Sequence, residues 1–144
     1  KPEGTYLSFH SEMLMNEAFR TAHYLHKHGR KLGVVLVPAL RLNDLSLHFT
    51  SGQITVMMVD PGFSGGIFVP EALDTVCKLK ELEKKKGYHY IVEADGQCNE
   101  KHFTELKQAG VESYIVGSGL FGLMKQGLTL DEAYYQLIRN IENA

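Results

Sequence analysis

Neither sign of charge prevails in this sequence, where 15 Lys and Arg face 17 Asp and Glu for a formal net charge of -2. Without a basic excess, and with no Lys/Arg stripe interleaved with aromatics, nucleic acid is not an expected partner. The densest cationic run, Lys84-Lys85-Lys86, falls at the end of an expected helix, where it complements the helix dipole. Also missing are any apolar run near the ~20 residues that span a bilayer and the charged-then-apolar start of a signal peptide. No membrane partner is expected, and the expected location is cytoplasmic. Cysteine is scarce: Cys77 and Cys98 show neither CxxC nor Cys/His spacing and read as reduced thiols rather than a disulfide or zinc site. What remains is 144 residues of globular composition, 44% hydrophobic, enough for one core and one domain.

The stretch from Ile54 to Phe68 organises the rest. Ile54-Thr55-Val56-Met57-Met58-Val59 reads as a buried parallel strand, stopped by Asp60-Pro61-Gly62. The loop that follows carries Gly62, Gly65 and Gly66. A glycine nest of this kind, ahead of a helix N-terminus near Pro70 and Glu71, can bind an anion through main-chain N–H groups. A tight left-handed turn explains two of these glycines equally well.

The chain in order predicts alternating elements. A strand at Tyr6 to Phe9 precedes a helix from about Asn16 to His28, with Ala18, Phe19, Ala22 and Leu25 on one face and Gly29 as its stop. A second strand covers Leu32 to Pro38, and the pattern over Arg41 to Thr50 leaves a short helix and an irregular crossover both open. Beyond the glycine loop, Leu73, Val76, Cys77, Leu79 and Leu82 form a helical stripe ending at Gly87. Then come a strand at Tyr90 to Ala94, a helix capped by Asn99 and carrying Phe103, Leu106 and Ala109, and a last strand at Ser113 to Val116. Gly117-Ser118-Gly119 reads as that strand's exit loop. Thr129-Leu130-Asp131-Glu132 is a capping box opening a final helix through Tyr134, Leu137, Ile138 and Ile141.

Strict β–α alternation implies right-handed βαβ units and a parallel sheet, either doubly wound or closed into a barrel. Strands ending near Val59, Ala94 and Val116 each leave through a small or acidic loop, which is the layout of a barrel's active face. A barrel needs eight strands in typically ~250 residues, so five strands leave a part upstream unaccounted for. A first residue that is Lys rather than Met fits a chain continued at that end.

Three motifs, in this order and spacing, resemble the ribulose-phosphate 3-epimerase family: Val59-Asp60-Pro61-Gly62-Phe63-Ser64-Gly65-Gly66, Glu93-Ala94-Asp95-Gly96-Gln97-Cys98-Asn99 and Val116-Gly117-Ser118-Gly119-Leu120-Phe121. The likeness runs from Ser8-Phe9-His10 to the last helix. It implies an α/β fold of the (β/α)8 TIM-barrel, ribulose-phosphate-binding type, with residues 1–144 as the C-terminal, five-strand portion of a single barrel domain. The second motif departs from the common Asp-Gly-Gly-Val-Asn form and looks closer to the allulose-6-phosphate 3-epimerase branch. The family's first three strands, which carry a substrate Ser, two His ligands and a partner Asp, would lie outside these residues.

The resemblance implies a metal-dependent 3-epimerase of ketose phosphates, interconverting ribulose 5-phosphate with xylulose 5-phosphate or allulose 6-phosphate with fructose 6-phosphate. Such a reaction needs two acids on opposite faces of C3 and a cation on the enediolate oxygens. By resemblance Asp95 is one acid/base and one ligand of a divalent ion (zinc, iron, manganese or cobalt); read alone, it starts an Asx-turn. Phosphate contacts carry over to Ser64, Gly65 and Gly66, to Gly96 and Gln97, and to Gly117 and Ser118, mainly through backbone N–H groups. Met57 and His10 could line the pocket, though core or rim roles suit them as well. His23, His26 and His28 read as a solvated helix face, since no third metal ligand accompanies the first two. The implied partners are a phosphorylated ketose and a second copy of the chain in a homo-oligomer. The chain alone is expected to be inactive, and a non-catalytic phosphosugar-binding barrel domain is the alternative.

Overall fold

A computed structural model describes residues 4–38, 52–61 and 66–144. The first strand, β1 (Tyr6–His10), runs into a short helix α1 (Ser11–Leu14), a 3-10 turn (Met15–Glu17) and α2 (Ala18–Lys27). Strands β2 (Lys31–Leu36) and β3 (Gln53–Met57) follow, then α3 (Glu71–Lys86), β4 (Ile91–Asp95), α4 (Phe103–Ala109), β5 (Ser113–Ile115), α5 (Ser118–Lys125) and α6 (Leu130–Glu142). The unresolved reading over Arg41 to Thr50 lies outside the described residues, as do the loop residues Gly62, Phe63, Ser64 and Gly65.

Five parallel strands form one sheet in the order β1-β2-β3-β4-β5, so each strand lies beside its successor. A doubly wound sheet reverses direction at a switch point; strictly sequential order is the winding of a barrel wall. Period-2 alternation separates the two faces. Val34, Leu36, Ile54, Val56, Val92 and Ala94, each at most 1% exposed, share one face and join the core with Val76, Leu79, Phe103 and Leu106 of the helices. The other face is more polar. Its middle rung runs His10, Val35, Thr55, Glu93, Ser113, and its upper rung carries Met57, Asp95 and Ile115.

The helices keep their expected places but bury narrower stripes. Ala18 and Leu25 of α2, Ala72, Val76 and Leu79 of α3, and Ala133 and Leu137 of α6 are buried. Phe19, Cys77 and Tyr134, expected on the apolar faces, are exposed. Lys84, Lys85 and Lys86 close α3, whose C-cap Gly87 sits at φ 68°. Asn99 does not cap α4 as expected. Its Oδ1 accepts from the Lys101 N–H at 3.0 Å and its carbonyl accepts from the His102 and Phe103 N–H groups, so it starts the turn that feeds α4.

The largest departure is α5, which begins inside Gly117-Ser118-Gly119, read as an exit loop, and continues to Lys125. A Cβ at Gly119 would stand 3.0 Å from both the Cys98 carbonyl oxygen and Val116 Cγ1. The glycine therefore serves close packing of the helix on the β4–α4 turn rather than chain reversal. Among the described residues no helix is long and apolar enough to cross a membrane.

Candidate functional site

The C-terminal ends of β3, β4 and β5 bring those expected site residues that are described, other than Gly66, to one rim of the sheet, and the return limb of the glycine loop brings Gly66 there. Asp95 ends β4 and stands beside Met57 of β3 and Ile115 of β5, on the face away from the helices. The Met58 N–H donates to the Asp95 carbonyl at 2.7 Å, stitching the two strand ends together. Asp95 is half-buried. Burial first, and then the neighbouring Glu93 carboxylate, push its carboxyl above the ordinary carboxylate range, against a hydrogen bond from the Gly96 N–H.

Glu93, which sequence reasoning passed over, lies on the same face one rung below. Its Oε1 accepts from Thr55 Oγ1 at 2.9 Å and its Oε2 accepts from Ser113 Oγ at 2.7 Å, so one carboxylate ties three adjacent strands. The signal was present: a carboxylate two residues before Asp95 in a strand must share its face.

The turn after Asp95 is shaped by two positive-φ residues. Gly96 has φ 99°, and a Cβ there would come within 2.7 Å of Val59 Cγ2, so glycine is demanded both by backbone and by space. Gln97 has φ 52°. Its Nε2 donates to the Gly66 carbonyl at 2.8 Å, joining the turn to the return limb of the glycine loop, and its Oε1 accepts from Asn99 Nδ2 at 3.0 Å. Phe68 of that limb stacks on His102, ring centroids 3.9 Å apart and planes 9° apart. Gly117 is the N-cap of α5 and Ser118 its first residue, both exposed, and no side chain caps this end. Gly66, Gly96, Gln97, Gly117 and Ser118 thus border one continuous rim, made continuous by the Gln97–Gly66 bond and by the approach of Gly119 to Cys98. Ser64 and Gly65 lie outside the described residues.

The remaining candidates separate. His10 ends β1 on the same face as Asp95, but three strands away. His23, His26 and His28 are exposed on α2 and its C-cap, and His28 Nδ1 is bonded to the Tyr24 carbonyl at 2.7 Å. Cys77 is exposed and Cys98 is buried, both as free thiols. Burial pushes the Cys98 thiol up to about 12, which keeps it protonated and unreactive.

A model of the ribulose-phosphate 3 epimerase family matches residues 1–121. The chain belongs to the ribulose-phosphate 3-epimerase family. It is 31% identical over 123 residues to a ribulose-phosphate 3-epimerase of Serratia marcescens, covering 85% of this chain and 58% of that protein. The Aquifex aeolicus enzyme of the same name is 32% identical over 105 residues, 72% of this chain and 47% of that protein. The Escherichia coli K12 one is 27% identical over 134 residues, 92% of this chain and 59% of that protein. The chain therefore spans about half the length of the curated relatives it matches. Among solved structures, a mutant tryptophan synthase α-subunit from Pyrococcus furiosus superposes with a TM-score of 0.65 at 16% identity, over 99% of this chain and 56% of that one. That likeness concerns the fold alone. With the sequential parallel sheet, it makes the architecture a five-strand portion of a (β/α)8 barrel.

Proposed function

We propose that these residues form the C-terminal portion of a single barrel domain that epimerises ketose phosphates at C3. The observation that carries this reading is Asp95: a half-buried carboxyl at the C-terminal end of a barrel strand, with its acidity weakened, on a rim bordered by glycine-rich turns. In the forward direction the Asp95 carboxylate takes the C3 proton, made acidic by the C2 carbonyl, and the C–H electron pair passes into an enediolate. An acid on the opposite face, contributed by strands beyond this chain, returns a proton to C3 and inverts it; in the reverse direction the two groups exchange roles. A carboxyl raised above its ordinary range suits both halves of this cycle, because it is a better base when ionised and is more readily reprotonated.

The phosphate of the sugar is proposed to sit against the N–H groups of Gly66, Gly96, Gln97, Gly117 and Ser118, together with Ser64 and Gly65. The uncapped N-terminus of α5 supports this placement. Among the described residues no three potential ligands come together, so these residues by themselves form no metal cage. Asp95 is the residue here that would hold a divalent ion, which when bound would supply Lewis-acid stabilisation of the enediolate. A cytoplasmic location is part of the proposal, supported by two free thiols.

The Asp95-Gly96-Gln97-Cys98-Asn99 turn favours the hexulose branch, with allulose 6-phosphate and fructose 6-phosphate as the pair. Assaying the full-length protein with this pair and with ribulose 5-phosphate tests both levels. Turnover of allulose 6-phosphate at the higher kcat/KM is expected. A preference for the pentulose would overturn the branch, and binding of both without turnover of either would leave a phosphosugar-binding barrel in place of an enzyme.

A further inference from the structure

Among the described residues, Gln97 is the non-glycine residue with a left-handed backbone, at φ 52°. Glycine would adopt that conformation without strain, so the glutamine there stands against a conformational preference. Both ends of its amide are used: Nε2 donates to the Gly66 carbonyl at 2.8 Å, and Oε1 accepts from Asn99 Nδ2 at 3.0 Å. Asn99 is held in turn by the Lys101 N–H at 3.0 Å, so the amide is fixed from one side and reaches across to the other loop. A second tie, independent of the first, joins the same two segments through the Phe68–His102 stack. At the base of the limb the Val69 N–H donates to the Met58 carbonyl at 2.8 Å.

We infer that Gln97 is a positioning residue: its side-chain amide fastens the return limb of the β3–α3 loop to the β4–α4 turn and so sets the spacing of two phosphate-binding segments. The inference rests on the epimerase reading for what the rim binds, and on the hydrogen bonds alone for the tie itself. A backbone nest binds an anion well only when its N–H groups are held in place beforehand, because ordering them on binding subtracts from affinity. Asp95 is positioned by β4, not by this amide. Loss of the tie therefore weakens phosphate binding and leaves the proton transfer alone.

The test uses the full-length protein with Gln97→Gly and Gln97→Met, the second of which keeps the side-chain length and removes the donor. The expected result is a rise in KM for the phosphorylated ketose and in the inhibition constant of inorganic phosphate, both by about fivefold, the worth of one typical hydrogen bond. The kcat should stay within about twofold, and amide hydrogen exchange across residues 66–69 of the free protein should accelerate. Unchanged exchange in both variants would overturn the tie. Faster exchange with KM and inhibition constant unchanged would overturn its role at the subsite. A wild-type protein that neither turns over either sugar nor binds inorganic phosphate would overturn the epimerase reading and the subsite role with it, while the exchange comparison would still decide whether Gln97 holds the loop.

Discussion

Two carboxylates two residues apart on β4 have divergent surroundings. Glu93 has both oxygens bonded to hydroxyls of neighbouring strands, whereas Asp95 faces the rim with one backbone donor and feels Glu93 below it. Glu93 therefore reads as structural, and Asp95 is the carboxylate left open for the proposed chemistry. Glu93→Ala strips a partner from the Thr55 hydroxyl, which is only 3% exposed, and should cost about 1–3 kcal/mol, the range for a buried polar group left unpaired. Urea unfolding of the variant measures it, and a loss below experimental error would show that Thr55 finds another acceptor. The place of Asp95 at a strand's C-terminal end was legible in the sequence, because the strand's apolar run stops just before it and a glycine turn follows. Glu93 was not, because a strand read for apolar character hides a carboxylate whose partners come from residues 38 and 20 positions away.

At the scale of elements, local chemistry was most legible where it is self-contained. The capping box of α6 is present in full: Thr129 accepts from the Glu132 N–H, and the Glu132 carboxylate accepts from the Thr129 N–H at 2.8 Å. Thr129→Ala should cost about 1 kcal/mol, as for other N-caps, measurable as a lowered Tm. The hydrogen bonds from Thr129 hold the Glu132 carboxyl below its ordinary value of 4.5. A carboxyl depressed in the folded state stabilises above its unfolded pKa and loses that contribution as pH falls through the folded value. The Tm gap between wild type and Glu132→Ala should therefore be open at pH 7 and narrow progressively below that ordinary value; a gap independent of pH would mean that the carboxylate charge is not used. What escaped the sequence at this scale depended on packing. Gly117-Ser118-Gly119 read as a loop, yet Gly119 sits where a Cβ would stand only 3.0 Å from the Cys98 carbonyl oxygen and Val116 Cγ1. Tyr134 was expected inward, but the stripe that reaches the core passes through its neighbour Ala133.

For the molecule as a whole, the sheet order was implied by β–α alternation and by the strand-end loops, and the barrel reading came through because both agree with parallel, sequential pairing. How the rim is assembled was not legible, since the ties that join its turns, Gln97 to Gly66 and Phe68 to His102, span loops far apart in sequence. Among the described residues β1 and β5 each pair on one side only, and the face opposite the helices leaves Ile91 and Ile115 41% and 43% exposed. Open parallel edges and a partly apolar bare face favour association. Residues 1–144 in isolation should therefore sediment as oligomers or melt without a sharp transition, and a monodisperse monomer with a cooperative melt would show that the sheet closes on itself.

The central claim, that Asp95 exchanges the C3 proton of a ketose phosphate, is tested most directly by proton NMR of the full-length protein with substrate in D2O. The account predicts that wild type incorporates deuterium at C3 as the epimer forms, and that Asp95→Asn loses both exchange and epimerisation by about 100-fold or more while its Tm does not fall. Epimer formation without deuterium at C3, or a variant that keeps more than about a tenth of the wild-type rate, would contradict it.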